Sequence, residues 1–453
     1  MPAPDGGYYA SANRDDGERS TAWTGLVARV DADGERRWLT EVELGYRTRI
    51  FGLAREGDGV LVFGDFARDD QGKGPFVLAD DGSGETSDPE YLSTGAYAKV
   101  EAFAEFEDGG DAVSGTSFSG SAPAHREGWV QRLSPDRSQR DATTFQVEDE
   151  DTVAEICLPA NDGGAYVVGR TYDGTDAYFA TRFDAALDRT WTYRFDHVYP
   201  SEVEGCRHPD GGIVIATDQR DGRFTHLTAD GDVARGQSSM DRTVTAMEAG
   251  PDGTILFAEN RWRGSTYKPG LGRLGPKRDH RFERFEIEGL KRLTDLHVET
   301  GGDLTAVGHG WHSDAGVQVS LLRFRNPAPD PDVEVLRPLV AGESTWLKAT
   351  NANGKPRGHL DYTWYHQGEV VGEQEHLHPT FETPGEHEVT LEIVDEFGKS
   401  GSVTKTLRVD APETPTPTPT VTPPESTDPP TEGGLTTGAR GFLGSASGAP
   451  SPG

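Results

Sequence analysis

The chain is patterned by short apolar runs, each of which follows a glycine turn. Seven segments share this form: PDGGYYASA, GDGVLVFGD, DGGDAVSGT, NDGGAYVVG, PDGGIVIAT, PDGTILFAE and TGGDLTAVG. With the residue that closes each turn as anchor, they fall at Gly7, Gly59, Gly110, Gly164, Gly212, Gly253 and Gly302, at spacings of 52, 51, 54, 48, 41 and 49 residues. A repeat of this period is that of a propeller blade, about 40 to 50 residues long. An alternating stretch such as VTAMEAG or EVEGCRH leads into the turn, and a strand such as YVVGRTY leaves it. A second run (YFATRFD, WTGLVARVD), a polar turn (DADGERR) and a last strand carrying Trp38 or Trp191 complete the unit. Period-two alternation, β-branched and aromatic residues and closely spaced Gly/Asp turns predict four short antiparallel strands per unit.

One such unit cannot bury both of its faces, whereas a ring of units packs face to face and leaves few exposed edges. Residues 1–326 are therefore expected to form an all-β propeller of about seven blades. The chain opens at the first turn, and the seventh copy ends at VSLLRFRN. The first blade thus lacks a leading strand and the last a clear final one. A start that is missing an upstream segment, such as an export signal, is the favoured explanation. The alternative is that the two partial blades close the ring together.

The succession of PDGG, apolar strand, variable loop, strand ending in Arg-x-Asp, DG turn and tryptophan strand resembles the propeller-like repeats of large archaeal and bacterial surface proteins. That resemblance implies architecture and leaves function open, because propellers host unrelated activities. In an antiparallel blade alternate connections share a face. The tight PDGG and DADG turns therefore lie on one side, and the long loops 66–74, 118–128, 261–270 and 309–316 on the other. Binding residues concentrate on loops held by a rigid scaffold. Trp262, Tyr267, Trp311 and His312 are the candidate ligand-binding residues on that face, the competing reading being that such aromatics pack on neighbouring blades.

After the Pro- and Asp-rich NPAPDPD the glycine-turn repeat stops. Residues 327–410 carry Trp364 in DYTWYH, then His378, Phe381, the turn Pro384-Gly385 and the strand VTLEIVD from Val389 to Asp395. This stretch resembles a PKD domain, an immunoglobulin-like β-sandwich that serves as a spacer or interaction module, with Trp364 between its sheets. It departs from the family at YHQGEVVG, where a Gly-Asp-Gly turn is usual. Residues 411–453 open with ETPTPTPTVTPP, a Thr/Pro composition that forms no core and behaves as an extended, disordered stalk.

Composition narrows the function. The 453 residues carry a net charge of −32, and only nine of the 44 basic residues are lysine. Dispersed acidity of this kind excludes a phosphate-neutralising nucleic-acid partner and resembles proteins of salt-loving archaea. The opening MPAPDGGYYA has no basic segment or apolar core, and no run is long enough to span a bilayer. The sequence contains no HExxH, G-x-S-x-G, Walker or CxxC motif, and no catalytic residue is assigned. His376 and His378 fall short of a metal ligand set, and no metal residue is assigned. Calcium is the one cofactor the turns at 31–34, 79–84 and 228–232 could hold, but Asp and Gly form the same turns without an ion. Cys157 and Cys206 occupy equivalent places before their turns, so a disulfide between them competes with two buried thiols. The order of ring, sandwich and stalk points to a non-enzymatic extracellular or cell-surface protein whose propeller binds a protein or glycan. A secreted polysaccharide hydrolase or lyase and a structural envelope component are the alternatives.

Overall fold

Glycine turns and alternating strands build the architecture they predict. The computed structural model describes residues 1–413 apart from short segments at 16–21, 69–71, 93–96, 107, 120–124, 138–139, 173–176, 196–202, 218–222, 240–242, 264–265, 276–279, 285–289, 300, 313–315 and 353–359. Among the described residues every regular element is a strand. The expected tail, 411–453, lies outside the described residues from 414 onward.

Seven antiparallel meanders follow one another, with strands A to D running outward from a central channel. Blade 2 comprises Arg47–Glu56, Gly59–Arg68, Gly72–Asp80 and Glu90–Tyr91, and blade 3 Tyr97–Glu105, Asp111–Ser119, His125–Leu133 and Arg140–Phe145. Blade 4 comprises Asp151–Pro159, Ala165–Tyr172, Ala177–Phe183 and Arg189–Phe195, and blade 5 Val203–Arg207, Ile213–Thr217, Arg223–Leu227 and Val233–Ser239. Blade 6 comprises Thr243–Ala249, Ile255–Arg263, Thr266–Leu274 and His280–Arg284. The terminal blades are three-stranded: blade 1 holds B, C and D (Tyr8–Asp15, Trp23–Val30, Arg36–Val42), and blade 7 holds A, B and C (Leu290–Val298, Leu304–His312, Gly316–Phe324). Four strands per unit is thus the rule for five blades and fails for the first and last.

The ring closes through side chains rather than a shared sheet. The Tyr8 hydroxyl of blade 1 meets Thr305 Oγ1 at 2.6 Å and donates to Glu299 Oε1 at 2.5 Å, both in blade 7. Met1 and Pro2 lie along the inner edge of blade 1, where Met1 O accepts from the Tyr9 amide at 2.9 Å and Pro2 bridges Tyr8. The core sits between blades, in successive apolar clusters such as Val130, Phe145, Val167 and Phe179 between blades 3 and 4. D-strand tryptophans clip blade 1 to blade 2 and blade 4 to blade 5: Trp38 Nε1 donates to Gly82 O at 3.0 Å and Trp191 Nε1 to Ala229 O at 2.9 Å.

The turn geometry corrects the anchors by one residue at two places. Positive φ falls on Gly6, Gly109, Gly163 and Gly211, each one before its anchor, but on Gly253 and Gly302 themselves. Thr254 and Asp303 therefore occupy the place of Gly7, Gly110, Gly164 and Gly212. The backbone bonds agree, since Gly250 N donates to Thr254 O and Glu299 N to Asp303 O, as His208 N does to Gly212 O.

Beyond blade 7 two sheets form a sandwich. One contains Pro331–Val335, Leu347–Asn351 and His376–Leu377, the other Glu369–Gly372, Leu360–His366, Gly385–Asp395 and Ser400–Val409. Trp364 is fully buried between them with Val333, Leu347, Phe381 and Leu391. The sandwich is docked on the ring. Its turn at 395–399 enters the tight-turn face at blades 6 and 7, where Phe397 joins the cluster of Leu293, Leu296 and Leu304. Asn326 Nδ2 donates to Asp395 Oδ2 at 2.8 Å, and Lys399 Nζ pairs with Asp303 at 3.3 Å. The buried pair Arg273–Glu396 completes the joint at 3.1 Å.

Candidate functional site

Residues of all seven blades enclose a cavity of about 750 Å³ in the channel, among them Tyr9, Phe51, Phe103, Leu158, Cys206, Met247 and Leu296. Much of its wall is apolar. At the tight-turn end it becomes charged, with Arg207, Glu248, Asp295 and His297 on the wall. Glu248 holds that rim in place, accepting from the Val298 amide at 2.6 Å and lying 3.5 Å from His297 Nδ1.

A second polar zone surrounds the inner strands toward the long-loop side. With the corrected anchors, the sixth residue after each turn is Asn13, Asp65, Thr116, Arg170, Asn260 or His309, a polar group in every blade where this position is described. Some are joined to strand A of their own blade. Asp65 accepts from Arg49 Nη2 at 2.7 Å, and Arg170 Nε donates to Glu155 at 2.8 Å. Asn13 instead reaches the next blade, bonding Ile50 through both amide atoms at 2.9 and 2.7 Å. In blade 3 Lys99 pairs with Glu101.

A local irregularity creates this zone. Strand A is bulged between Ile50 and Gly52, between Val100 and Ala102 and between Ala154 and Ile156. A bulge re-aims the extra side chain, here Phe51, Glu101 and Glu155. It also presses a strand A carbonyl against strand B, so a Cβ on Gly64, Gly115 or Gly169 would overlap that oxygen. The glycine recurring in FGD, SGT and VGR is therefore the imprint of the bulge. Burial raises the carboxyl pKa of Glu101 and of Glu155 while their cations lower it, and burial outweighs the pairing in both. Partial desolvation, with the Arg292 charge adding to it, holds the His309 imidazole below its ordinary value although the residue keeps an exposed edge. These paired, partly desolvated charges are suited to recognising a polar ligand. The sequence reading missed them because each is an ordinary residue alone. Only aligning the repeats on the correct turn glycine puts them in register.

The expected long loops 261–270 and 309–316 are strand except at 264–265 and 313–315, and the four aromatic candidates fall at the ends of these two hairpins, opposite the tight-turn face. Trp262 is opposite Tyr267 in blade 6, while Trp311 and His312 are opposite Val317 and Gly316 in blade 7. The register thus sets Trp262 across from Tyr267, whereas Trp311 and His312 are successive residues of one strand with different partners. Their side chains lie outside the described residues.

The cysteines are separate free thiols, not a disulfide. The reason is geometric. Cys157 packs with Ala112 and Val130 between blades 3 and 4, whereas Cys206 packs with Val244 and Phe257 between blades 5 and 6. In the turns considered for calcium the carboxylates cap their own backbone: Asp31 accepts from Asp33 and Glu35, and Asp80 from Gly82 and Gly84. His376 and His378 are exposed, the His378 ring standing edge-on 4.5 Å from Trp346.

A group absent from the sequence reading lies on the tight-turn face of blade 5. His208, Asp210 and His226 each offer a ligand atom, all within 4.8 Å of one another.

No family model and no curated protein matches the chain. Among solved structures it is similar to the Dos1 propeller, at 11% identity and a TM-score of 0.44, over 86% of this chain and 91% of that one. The extracellular domains of the BT3049 and BT4673 systems of B. thetaiotaomicron are similar at 12% and 10% identity, with TM-scores of 0.38 and 0.43. Those matches cover 85% and 91% of this chain but only 60% and 56% of theirs, so the chain spans less than two thirds of their length. Likenesses at this level carry no functional argument.

Proposed function

We propose that this protein is an extracytoplasmic, non-enzymatic binding protein in which the long-loop face of the propeller receives a protein or glycan. The observation that carries this reading is where the sandwich sits. Its 395–399 turn packs on the tight-turn face at blades 6 and 7, so the opposite face, with the polar zone beneath it, is turned away from the spacer. A PKD-type sandwich followed by a Thr/Pro stalk would present that face outward, and the dispersed negative charge keeps such a display hydrated in brine.

The test uses the full chain in high salt on glycan arrays and on immobilised envelope proteins, with hydrolysis followed on every glycan. Saturable binding that is lost in Arg170→Ala, together with intact glycans, is the expected result. Turnover of any glycan, or binding indifferent to changes on the loop face, overturns the proposal.

A further inference from the structure

Six blades share a five-residue turn on the tight-turn face, and one of the six breaks its rule twice; blade 2 turns in two residues and has Ala79 at the arginine position. Two residues beyond each turn, the cross-strand partner on strand C is Arg29, Arg132, Arg182, Arg273 or Arg323 in blades 1, 3, 4, 6 and 7. In blades 1, 3 and 4 this arginine pairs with the turn aspartate: Arg29 with Asp5, Arg132 with Asp108 at 3.2 Å and Arg182 with Asp162 at 2.6 Å. The pair ties strand C to its own turn. In blade 5 the aspartate is kept as Asp210, but the arginine position holds His226. The first residue of the same turn, which is Ala3, Phe106, Ala160, Gly250 or Glu299 elsewhere, is here His208.

Both replacements bring an imidazole to the same carboxylate. His208 Nδ1 lies 2.8 Å from Asp210 Oδ1, and His226 Nε2 lies 3.0 Å from Asp210 Oδ2. The two rings are 4.1 Å apart. The histidine side chains are 18% and 13% exposed and that of Asp210 is 45% exposed, so the group is walled on two sides and open on one. Nitrogen and oxygen ligands around tetrahedral zinc, bound at about 2.0 to 2.1 Å, stand about 3.3 Å from one another. To admit an ion, the two imidazole–carboxylate separations need to open slightly, and the widest spacing among the ligand atoms, within 4.8 Å, needs to close. Two imidazoles and one carboxylate form a borderline donor set that favours Zn²⁺ over the all-oxygen preference of Ca²⁺ or Mg²⁺.

The geometry points to a divalent transition-metal site, of the zinc class, formed by His208 Nδ1, Asp210 and His226 Nε2 on the tight-turn face of blade 5, with one coordination position left to solvent. In blade 5 the ion takes over the work of the guanidinium elsewhere, linking strand C to the turn. It also joins strand C to the residue that opens the turn, which no arginine pair does.

The test is zinc titration of the chelator-treated full chain in high salt, by calorimetry, with Co²⁺ absorption as a report on nitrogen coordination. Two variants restore residues that other blades already use: His226→Arg recreates the Arg–Asp pair, and His208→Ala copies Ala3 and Ala160. The unmodified chain is expected to take up one zinc ion, to gain thermal stability from it and to show a tetrahedral cobalt spectrum. Each variant should fold without metal and bind zinc at least roughly tenfold more weakly, the smallest loss seen when even an outer-sphere partner is removed. Uptake that is equal in the unmodified chain and both variants, or cobalt bound without nitrogen coordination, would show only diffuse attraction to the acidic surface and would overturn the site.

Discussion

Arg273 of blade 6 and Glu396 of the sandwich, 123 residues apart in sequence, form an ion pair at 3.1 Å with side chains only 6% and 1% exposed. Glu396 also accepts from Thr254 Oγ1 at 3.2 Å, so its charge is met from both the turn and strand C of blade 6. A pair this dry adds little over an apolar isostere, yet removing one member strands the other charge and costs about 3 to 5 kcal/mol. Glu396→Ala is therefore expected to loosen the sandwich from the ring, read as faster protease cleavage within 326–332. Arg273→Met combined with Glu396→Leu should restore resistance. If the single variant is cleaved no faster than the parent, the pair does not hold the joint.

Gly302 is expected to be the least replaceable turn glycine. Its φ is +77°, and a Cβ there would overlap the Phe397 ring. Gly57, at φ +57° with open space around it, supplies the control. An L-residue in this region costs about 1 to 2 kcal/mol by itself, which is all that Gly57→Ala should lose in urea unfolding. Gly302→Ala should lose clearly more, because Phe397 must leave the cluster it shares with Leu296 and Leu304. Equal losses would show that Phe397 moves aside without consequence.

Asp111 breaks the repeat at a core position. The residue after the turn is Tyr8, Val60, Ala165, Ile213, Ile255 or Leu304 in the other blades, and Asp111 is only 3% exposed. Burial, reinforced by Glu105 and opposed by Arg137, pushes its carboxyl from 3.8 to about 7, with Glu56 and Asp108 also nearby. Because the folded state holds the proton more tightly, the contribution of Asp111 is full at low pH and lost as pH rises toward 7. The loss proceeds at up to about 1.4 kcal/mol per pH unit. Asp111→Ala should accordingly be more stable than the parent at pH about 8 and lose that advantage by pH about 3, where the carboxyl is largely protonated in both states. A pH-independent difference in urea midpoints would mean that the carboxyl is not protonated in the fold.

Much of this architecture was legible in the chain, and what was missed shares one cause. PDGG and its variants mark the turn chemically, since only glycine takes φ near +80° without cost, so seven blades and their two faces follow from counting. PDGT and TGGD present a glycine one place earlier in the turn, and letters alone do not show which residue takes positive φ. That one-residue slip put Asn260 and His309 out of register with Asp65 and Arg170 and hid the polar zone they share. His208 and His226 stayed hidden for a related reason. They are 18 residues apart on different elements, and meet only once the pairing of Val214 with His226 is known. The docking turn at 395–399 reads as an ordinary hairpin, and no local pattern says that a second domain receives it.

The two thiols should be chemically silent in the folded protein. Burial pushes Cys157 up to about 12, despite its contact with Ser114, and burial with the nearby Glu248 charge raises Cys206 further. Thiolate is the reactive form, so an aromatic disulfide reagent should label neither residue in the native protein and both in denaturant. Labelling of Cys206 alone in the native state would indicate that reagent enters through the channel, whose wall includes that residue.

Salt should stabilise this protein, and the reasoning turns on which charges are screened. The chain has 76 acidic and 44 basic residues, so most long-range pairs of charges repel. Raising ionic strength from about 0.1 M to about 1 M shortens the screening length from roughly 10 Å to roughly 3 Å, which removes that repulsion. It also weakens attractive pairs at the surface such as Arg14–Glu41, held at 2.6 Å with both side chains about half exposed, but exposed pairs contribute only about 0 to 1 kcal/mol each. The buried joint Arg273–Glu396 is shielded from solvent ions and should hardly respond. The melting temperature is therefore expected to rise with KCl, and most of the rise should be complete by about 1 M, where screening is already shorter than a typical gap between surface charges. A chain whose acids were neutralised by local pairing would instead lose stability as salt was added, and a falling melting temperature over this range would show that pairing, not repulsion, governs its surface.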